Sequence, residues 1–162
     1  MRTDGRLDLR AIAESDASFL RGLYASTRAA EMAMVPWSEA QKAAFLDMQF
    51  DAQHRYYQEH YGDAAFDLIL LDGEPAGRLY VQRKPREIVL IDVALMPRFR
   101  QRGIGGVLMK GLLEEARAGD RPIRLHVEHE NPARAWYLRL GFRDVEDRGV
   151  YIFMEWRPEP DA

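Results

Sequence analysis

Ile88-Val89-Leu90-Ile91-Asp92-Val93-Ala94-Leu95 runs into Pro97 and then Arg100-Gln101-Arg102-Gly103-Ile104-Gly105-Gly106, an apolar run followed at once by a glycine-rich loop. Residues 88–95 are rich in β-branched side chains, which fit a strand, and Pro97 stops it. Beyond the glycines, Val107, Leu108, Leu112, Leu113 and Ala116 recur at helical spacing. The glycines therefore sit at a helix N-terminus, where unpaired N–H groups and the positive end of the helix dipole point outward. With no side chains in the way, a pyrophosphate could approach that main chain closely.

The spacing narrows the class of loop. A dinucleotide-binding fingerprint needs a third glycine where this chain has Leu108. A P-loop needs Lys followed by Ser or Thr after its last glycine, yet Gly106 precedes Val107. What remains is Arg100-x-x-Gly103-x-Gly105, which taken alone is equally compatible with a tight strand-to-helix turn.

A second segment, Leu125-His126-Val127-Glu128-His129-Glu130-Asn131-Pro132-Ala133-Arg134-Ala135-Trp136-Tyr137-Leu138-Arg139-Leu140-Gly141-Phe142, reads as strand, helix, strand. Leu125 and Val127 alternate with His126 and Glu128, Asn131 is an N-cap, Pro132 suits the first turn, and Gly141 stops the helix. Together the two segments resemble the GCN5-related N-acetyltransferase (GNAT) superfamily. Its acyl-CoA loop is similar to Arg100-x-x-Gly103-x-Gly105, and its second motif, an Asn leading into a helix with a Tyr and then Gly-Phe, is similar to residues 131–142. The signatures come in the family's order, separated by roughly the 20 residues a crossover helix requires. The resemblance is good over residues 66–156 and weak in the N-terminal third.

The resemblance implies an α/β fold with a central mixed sheet, the acyl-CoA N-acyltransferase fold, splayed between strands 4 and 5 and flanked by helices. Acetyl-CoA is the implied cofactor, lying in that opening. The Leu95 main chain would pair with the pantetheine arm, and its N–H would donate to the thioester carbonyl. The amides of Arg100, Gln101, Arg102, Gly103, Ile104, Gly105 and Gly106 would hold the pyrophosphate. Arg98, Arg100 or Arg102 could add charge, although a solvated arginine is the default for each. Asn131 would touch pantetheine, a role compatible with capping. Tyr137 stands where the family commonly keeps its general acid; the competing reading is a core tyrosine packed beside Ala133.

An amine of ordinary pKa near 10.4 is protonated at pH 7, so a base is needed before it attacks. Asp92 is a lone carboxylate in an apolar strand, where burial without a partner is costly. His126 occupies the place where some relatives put a catalytic Glu, and imidazole titrates near neutrality. Glu128 shares its face and ranks third. A purely structural hydrogen bond between Asp92 and His126 is an equally good reading. The expected activity is transfer of acetyl to the primary amine of a small-molecule or peptide acceptor by direct attack in a ternary complex. The alternative is a non-catalytic acyl-CoA-binding or sensing module.

Composition bounds the rest. The 162 residues suffice for one core, and 47% hydrophobic with 30% charged is ordinary globular usage. A net charge of −3 provides no basic field for nucleic acid. The absence of cysteine excludes a disulfide framework, thiolate metal sites and a cysteine acyl-enzyme. No run approaches the roughly 20 apolar residues of a membrane span, so a cytoplasmic setting without membrane partners is expected. One domain over residues 1–156 and a frayed tail over 157–162 are expected. Homodimerisation is common among relatives, and the terminal strands could support it.

Elsewhere, Leu7 to Arg10 reads as a strand, and Ser15 and Asp16 as caps before a helix bearing Phe19, Leu20, Leu23 and Tyr24. Pro36 ends that region. A second helix runs from Ser38 to Tyr61 with Ala44, Phe45, Met48, Ala52, Tyr56 and His60 near one face, closed by Gly62. Residues 66–71 and 76–81 flank a turn at Asp72-Gly73-Glu74-Pro75, and with residues 88–95 they make an antiparallel meander. Phe142 to Val145 and Val150 to Trp156 pair around Asp147-Arg148-Gly149. Acceptor recognition would come from the first helices, where Met32, Met34, Trp37, His54, Tyr56, Tyr57, His60 and Tyr61 suit an apolar pocket with hydrogen-bonding edges, against the plainer reading of packed aromatics.

Overall fold

The computed structural model describes residues 5–159. Seven strands form one mixed sheet in the order β1-β2-β3-β4-β5-β7-β6, flanked by helices. These are β1 (Leu7–Ala11), β2 (Ala65–Leu71), β3 (Glu74–Arg83), β4 (Ile88–Leu95), β5 (Ile123–Glu128), β6 (Arg143–Arg148) and β7 (Tyr151–Trp156). The helices are α1 (Ala17–Thr27), α2 (Ala29–Ala33), α3 (Glu39–His60), α4 (Ile104–Ala118) and α5 (Ala133–Arg139). The mixed α/β architecture expected from the sequence is thus observed, with β4 and β5 paired in parallel at Ile88 opposite Ile123 and Val89 opposite Arg124. The described residues divide into two compact units, 5–80 with 92–105, and 81–91 with 106–159. Residues 160–162 of the tail expected to fray lie outside the described residues.

In the first unit, β1 pairs antiparallel with β2, and Leu20, Tyr24, Phe50 and Leu68 form a core lined by Ile12, Phe19, Leu46 and Leu70. Burying such side chains stabilises by about 1.5–3 kcal/mol each. The β2–β3 turn is tighter than expected: Asp72 and Gly73 alone turn the chain, at φ 52 and 81, and Glu74 and Pro75 already belong to β3. Asp16 does not cap α1 through its side chain. Its carboxylate accepts from Ala13 N (2.7 Å) and pairs with Arg10 (3.0 Å), fixing a short 3-10 turn ahead of the helix. A further short helix, α2, precedes Pro36.

Helix α3 has the length expected, and Ser38 caps it in a reciprocal box with Gln41. Its buried face is not the expected one. Phe50 is buried and Leu46, Gln49, Gln53, His54 and Tyr57 are half-buried, whereas Ala44, Met48, Ala52, Tyr56 and His60 face solvent and only Phe45 of the expected set is sheltered. The helix ends at Tyr61 with φ −128, so its stop requires no left-handed glycine at position 62.

In the second unit, β5 and β6 flank β7, both antiparallel to it. Strand β6 continues through Asp147 and Arg148, so the turn falls at Gly149-Val150 rather than around Asp147-Arg148-Gly149. Gly141, at φ +102, ends α5 as expected, and Phe142 N–H donates to Tyr137 O (3.0 Å) while Gly141 N–H donates to Leu138 O (3.1 Å).

Candidate active site

The end of β4 is set by a close approach. Met96 N–H donates to Ala76 O (2.8 Å), and a Cβ on Gly77 would lie 2.1 Å from Ala94 O, so only glycine lets β3 come so near. Successive amides of a strand point to opposite edges. With Met96 N–H turned to β3, the N–H and carbonyl of Leu95 face the other edge. Arg100 reaches that edge and donates Nε to Leu95 O at 3.0 Å.

The loop between β4 and α4 begins as a short 3-10 turn, Pro97–Phe99, anchored by buried Phe99. Gln101 and Gly103 adopt φ 61 and 81, and buried Ile104 starts α4, which puts Gly105 and Gly106 in its first turn. Such a loop turns backbone N–H groups outward at a helix N-terminus. Arg98 pairs with Glu74 and lies over the Phe99 ring (4.4 Å). Arg102 also lies over Phe99 (5.5 Å), and among the described residues no carboxylate pairs with Arg100 or Arg102.

Asp92 is not a lone carboxylate. Arg78, 3% exposed on β3, donates Nη2 both to Asp92 and to Gln53 Oε1 of α3 (2.8 Å), and its guanidinium lies 4.9 Å from the centre of the buried Tyr80 ring. Desolvation opposes the Arg78 charge, yet Asp92 holds the guanidinium above its ordinary range. Burial pushes the Tyr80 phenol up, and desolvation followed by the Arg78 charge holds the His54 imidazole down. Sequence reasoning missed Arg78 and Gln53. Alternation of Arg78, Tyr80 and Gln82 along an apolar strand was the available signal.

In the second unit, His126, Phe153 and Glu146 stand in register across β5, β7 and β6, so their side chains share one face. Arg148, two residues on from Glu146, donates Nη1 to His126 Nε2 (2.8 Å) and Nη2 to Glu146 (3.1 Å), and lies over Phe153 (4.5 Å). Desolvation, then the Arg148 charge, holds the imidazole below its ordinary range, partly offset by Glu146. An acceptor Nε2 facing a guanidinium is the neutral ring. Glu128, half-buried, accepts from Asn131 N–H through its carbonyl (3.0 Å). Asn131 Oδ1 accepts from Ala133 N (2.9 Å), and Pro132 already has helical angles, so Asn131 caps α5. Tyr137 is buried on that helix, its ring 5.5 Å from Phe142 and 5.3 Å from Trp136.

A family model described as the acetyltransferase (GNAT) family matches residues 27–142. The chain belongs to that family. Solved structures agree on the fold. A PaiA N-acetyltransferase from Thermoplasma acidophilum, in complex with coenzyme A, aligns at TM-score 0.69 with 16% identity over 94% of this chain and 99% of its own. An acetyltransferase from Thermus thermophilus aligns at 0.66 with 21% identity over 98% and 100%. The ribosomal-protein-S18-alanine N-acetyltransferase from Escherichia coli aligns at 0.63 with 18% identity over 97% of each chain. No curated protein matches this GNAT chain.

Proposed function

We propose that the chain is an acetyl-CoA-dependent N-acetyltransferase that transfers acetyl to a primary amine by direct attack in a ternary complex, its two units acting as one domain over residues 1–156, in the cytoplasm. The observation that carries this reading is the end of β4: the Leu95 N–H points away from β3, beside an arginine from the glycine loop. That arrangement fits the cofactor at both ends, a main-chain donor for an acyl carbonyl and outward amides with Arg102 for a pyrophosphate. A family match that crosses both units supports treating them as one domain.

Bound acetyl-CoA would supply the activated acyl group as a thioester. Leu95 N–H would donate to the carbonyl oxygen as it gains charge, a donor type worth about 10²–10³-fold in turnover. Tyr137 would give its phenolic proton to the departing sulfur. His126 would accept the amine proton through water at Nε2, displacing Arg148 there, because a neutral ring whose Nε2 accepts from Arg148 carries its own proton on Nδ1. Asp92, tied to Arg78, stands second and Glu128 third. The acceptor is a small-molecule or peptide amine; the S18-alanine acetyltransferase among the structural neighbours supports a peptide.

Thermal stability with acetyl-CoA, CoA and NAD in parallel tests the cofactor, since a ligand at 100 times its dissociation constant adds about 2.7 kcal/mol. Stabilisation by both CoA species and not by NAD is expected. Thiol release across a panel of amines then separates an enzyme from a binding module. Tyr137→Phe is expected to cut turnover about 10²-fold with acetyl-CoA binding intact; unchanged turnover across pH rejects Tyr137 as the acid.

A further inference from the structure

The exposed face of α3 carries a pattern that its own chain leaves unused. Ala44, Met48, Ala52 and Tyr56 recur every four residues, all facing solvent, with Met48 60% and Tyr56 49% exposed. Trp37 packs edge-on against Phe45 (5.3 Å) and widens the stripe at one end, and His60 stacks on Tyr56 (3.9 Å) at the other. A soluble helix normally turns such a row inward, but here Phe50 and its neighbours on the opposite face take the core.

The row is complementary to itself. When two copies of α3 cross antiparallel about a twofold axis at the level of residue 50, Met48 of each meets Ala52 of the other, and Ala44 meets Tyr56. Every large side chain falls opposite a small one, the condition for ridges at i±4 spacing to interdigitate closely. Charge agrees. Arg55 is exposed on the same face and has no ion-pair partner among the described residues, whereas Asp47 and Asp51 line one flank, sharing Arg21 at 3.6 and 2.5 Å. Antiparallel crossing brings Arg55 of each copy beside the acidic flank of the other. We propose that α3 is a homodimer interface, the occupant of its exposed face being the α3 of a second copy. This goes beyond the acetyl-transfer reading and does not rest on it, and it places self-association on a helix rather than on the terminal strands.

One crossed helix pair buries less than the roughly 1,600 Å² of a standard interface, so a weak, concentration-dependent dimer is expected. Sedimentation equilibrium on the full chain should show mass doubling between the low-micromolar and millimolar ranges. Met48→Ala should weaken association at least about tenfold by removing both knobs. The swap Met48→Ala with Ala52→Met puts the methionine back on the other side of each contact and should restore it. Arg55→Glu should weaken it as well, and less so at high salt. Both stripe positions are exposed, so circular dichroism should confirm folded variants. A monomer at every concentration, a dimer indifferent to Met48→Ala, or a swap that fails to restore association overturns the proposal; the first of these leaves the face to a different partner. The mass readout is independent of acetyl transfer, so either idea can fail alone.

Discussion

Arg78 meets Asp92 with only 3% of the arginine exposed, whereas Arg148, on a β6 whose every residue faces solvent, meets His126 of β5. Both arginines sit beside a candidate base, and the surroundings give them different work. In the buried cluster each charge is the other's condition for being there, because taking a guanidinium out of water costs several kcal/mol unless it is paired. In the exposed cluster water and salt screen the charges, so Arg148 tunes a titration rather than holding an element in place. A base that must take and release protons fits the second setting better.

The largest effect expected from this contrast is structural. Asp92→Ala leaves the buried Arg78 charge without its carboxylate, and unfolding by urea should show a loss of about 3–5 kcal/mol. The double change Arg78→Met with Asp92→Leu should recover most of it, because it removes both charges together. A loss below about 1 kcal/mol for Asp92→Ala would break the contrast, since it is the range of exposed pairs. Next in size is Gln53→Ala, which removes the 2.8 Å bond to Arg78 and should cost about 1.5–3 kcal/mol, the range for hydrogen bonds to charged groups.

How much of this was legible in the chain depends on the range of the interaction. The strand-loop-helix at residues 88–116, the helix stop at Gly141 and the cap at Asn131 are local, and the structure has them where the residues put them. Asp92 looked alone because Arg78 lies fourteen residues away and Gln53 on a separate helix, a conjunction that strand pairing creates and no periodicity contains. The misassigned face of α3 has another cause. Leu46, Phe50 and Tyr57 make one stripe, diluted by Gln49 and Gln53, and Ala44, Met48, Ala52 and Tyr56 make a second, purer one. Hydrophobic period favours the purer stripe, but the glutamines of the other are satisfied inside, Gln53 by Arg78 and Gln49 by the Tyr24 hydroxyl (3.3 Å). Within the site, the positions of Leu95 and the loop could be read because they are main-chain features; the partners of Asp92 and His126 could not.

The exposed cluster should respond on a smaller scale, in titration rather than stability. Arg148→Gln removes a positive charge that disfavours imidazolium, so the His126 pKa should rise toward its ordinary value near 6.5, as followed by NMR of the ring protons. The recovery should be partial, because desolvation is the larger cause and remains. If His126 is the base, the acidic limb of the pH–rate profile should move to higher pH in step with the ring. A shifted ring with an unmoved limb would transfer the role to another group. Stability follows the same sign: with the folded value below the unfolded one, His126 costs stability as pH falls below about 6.5, where the unfolded chain takes up the proton first, and Arg148→Gln should shrink that loss.

Glu146→Gln gives the smallest effect and the opposite sign. Its carboxylate favours imidazolium, and it ranks after desolvation and Arg148, so its removal should lower the His126 pKa further by less than Arg148→Gln raises it. The two shifts separate charge from burial. If both shrink together at about 1 M salt, where the Debye length falls to about 3 Å, the cluster is electrostatic and exposed as described. If Glu146→Gln raises the value instead, then its hydrogen bond to Arg148 was holding the guanidinium against the ring, and the arginine's position rather than its charge sets the titration.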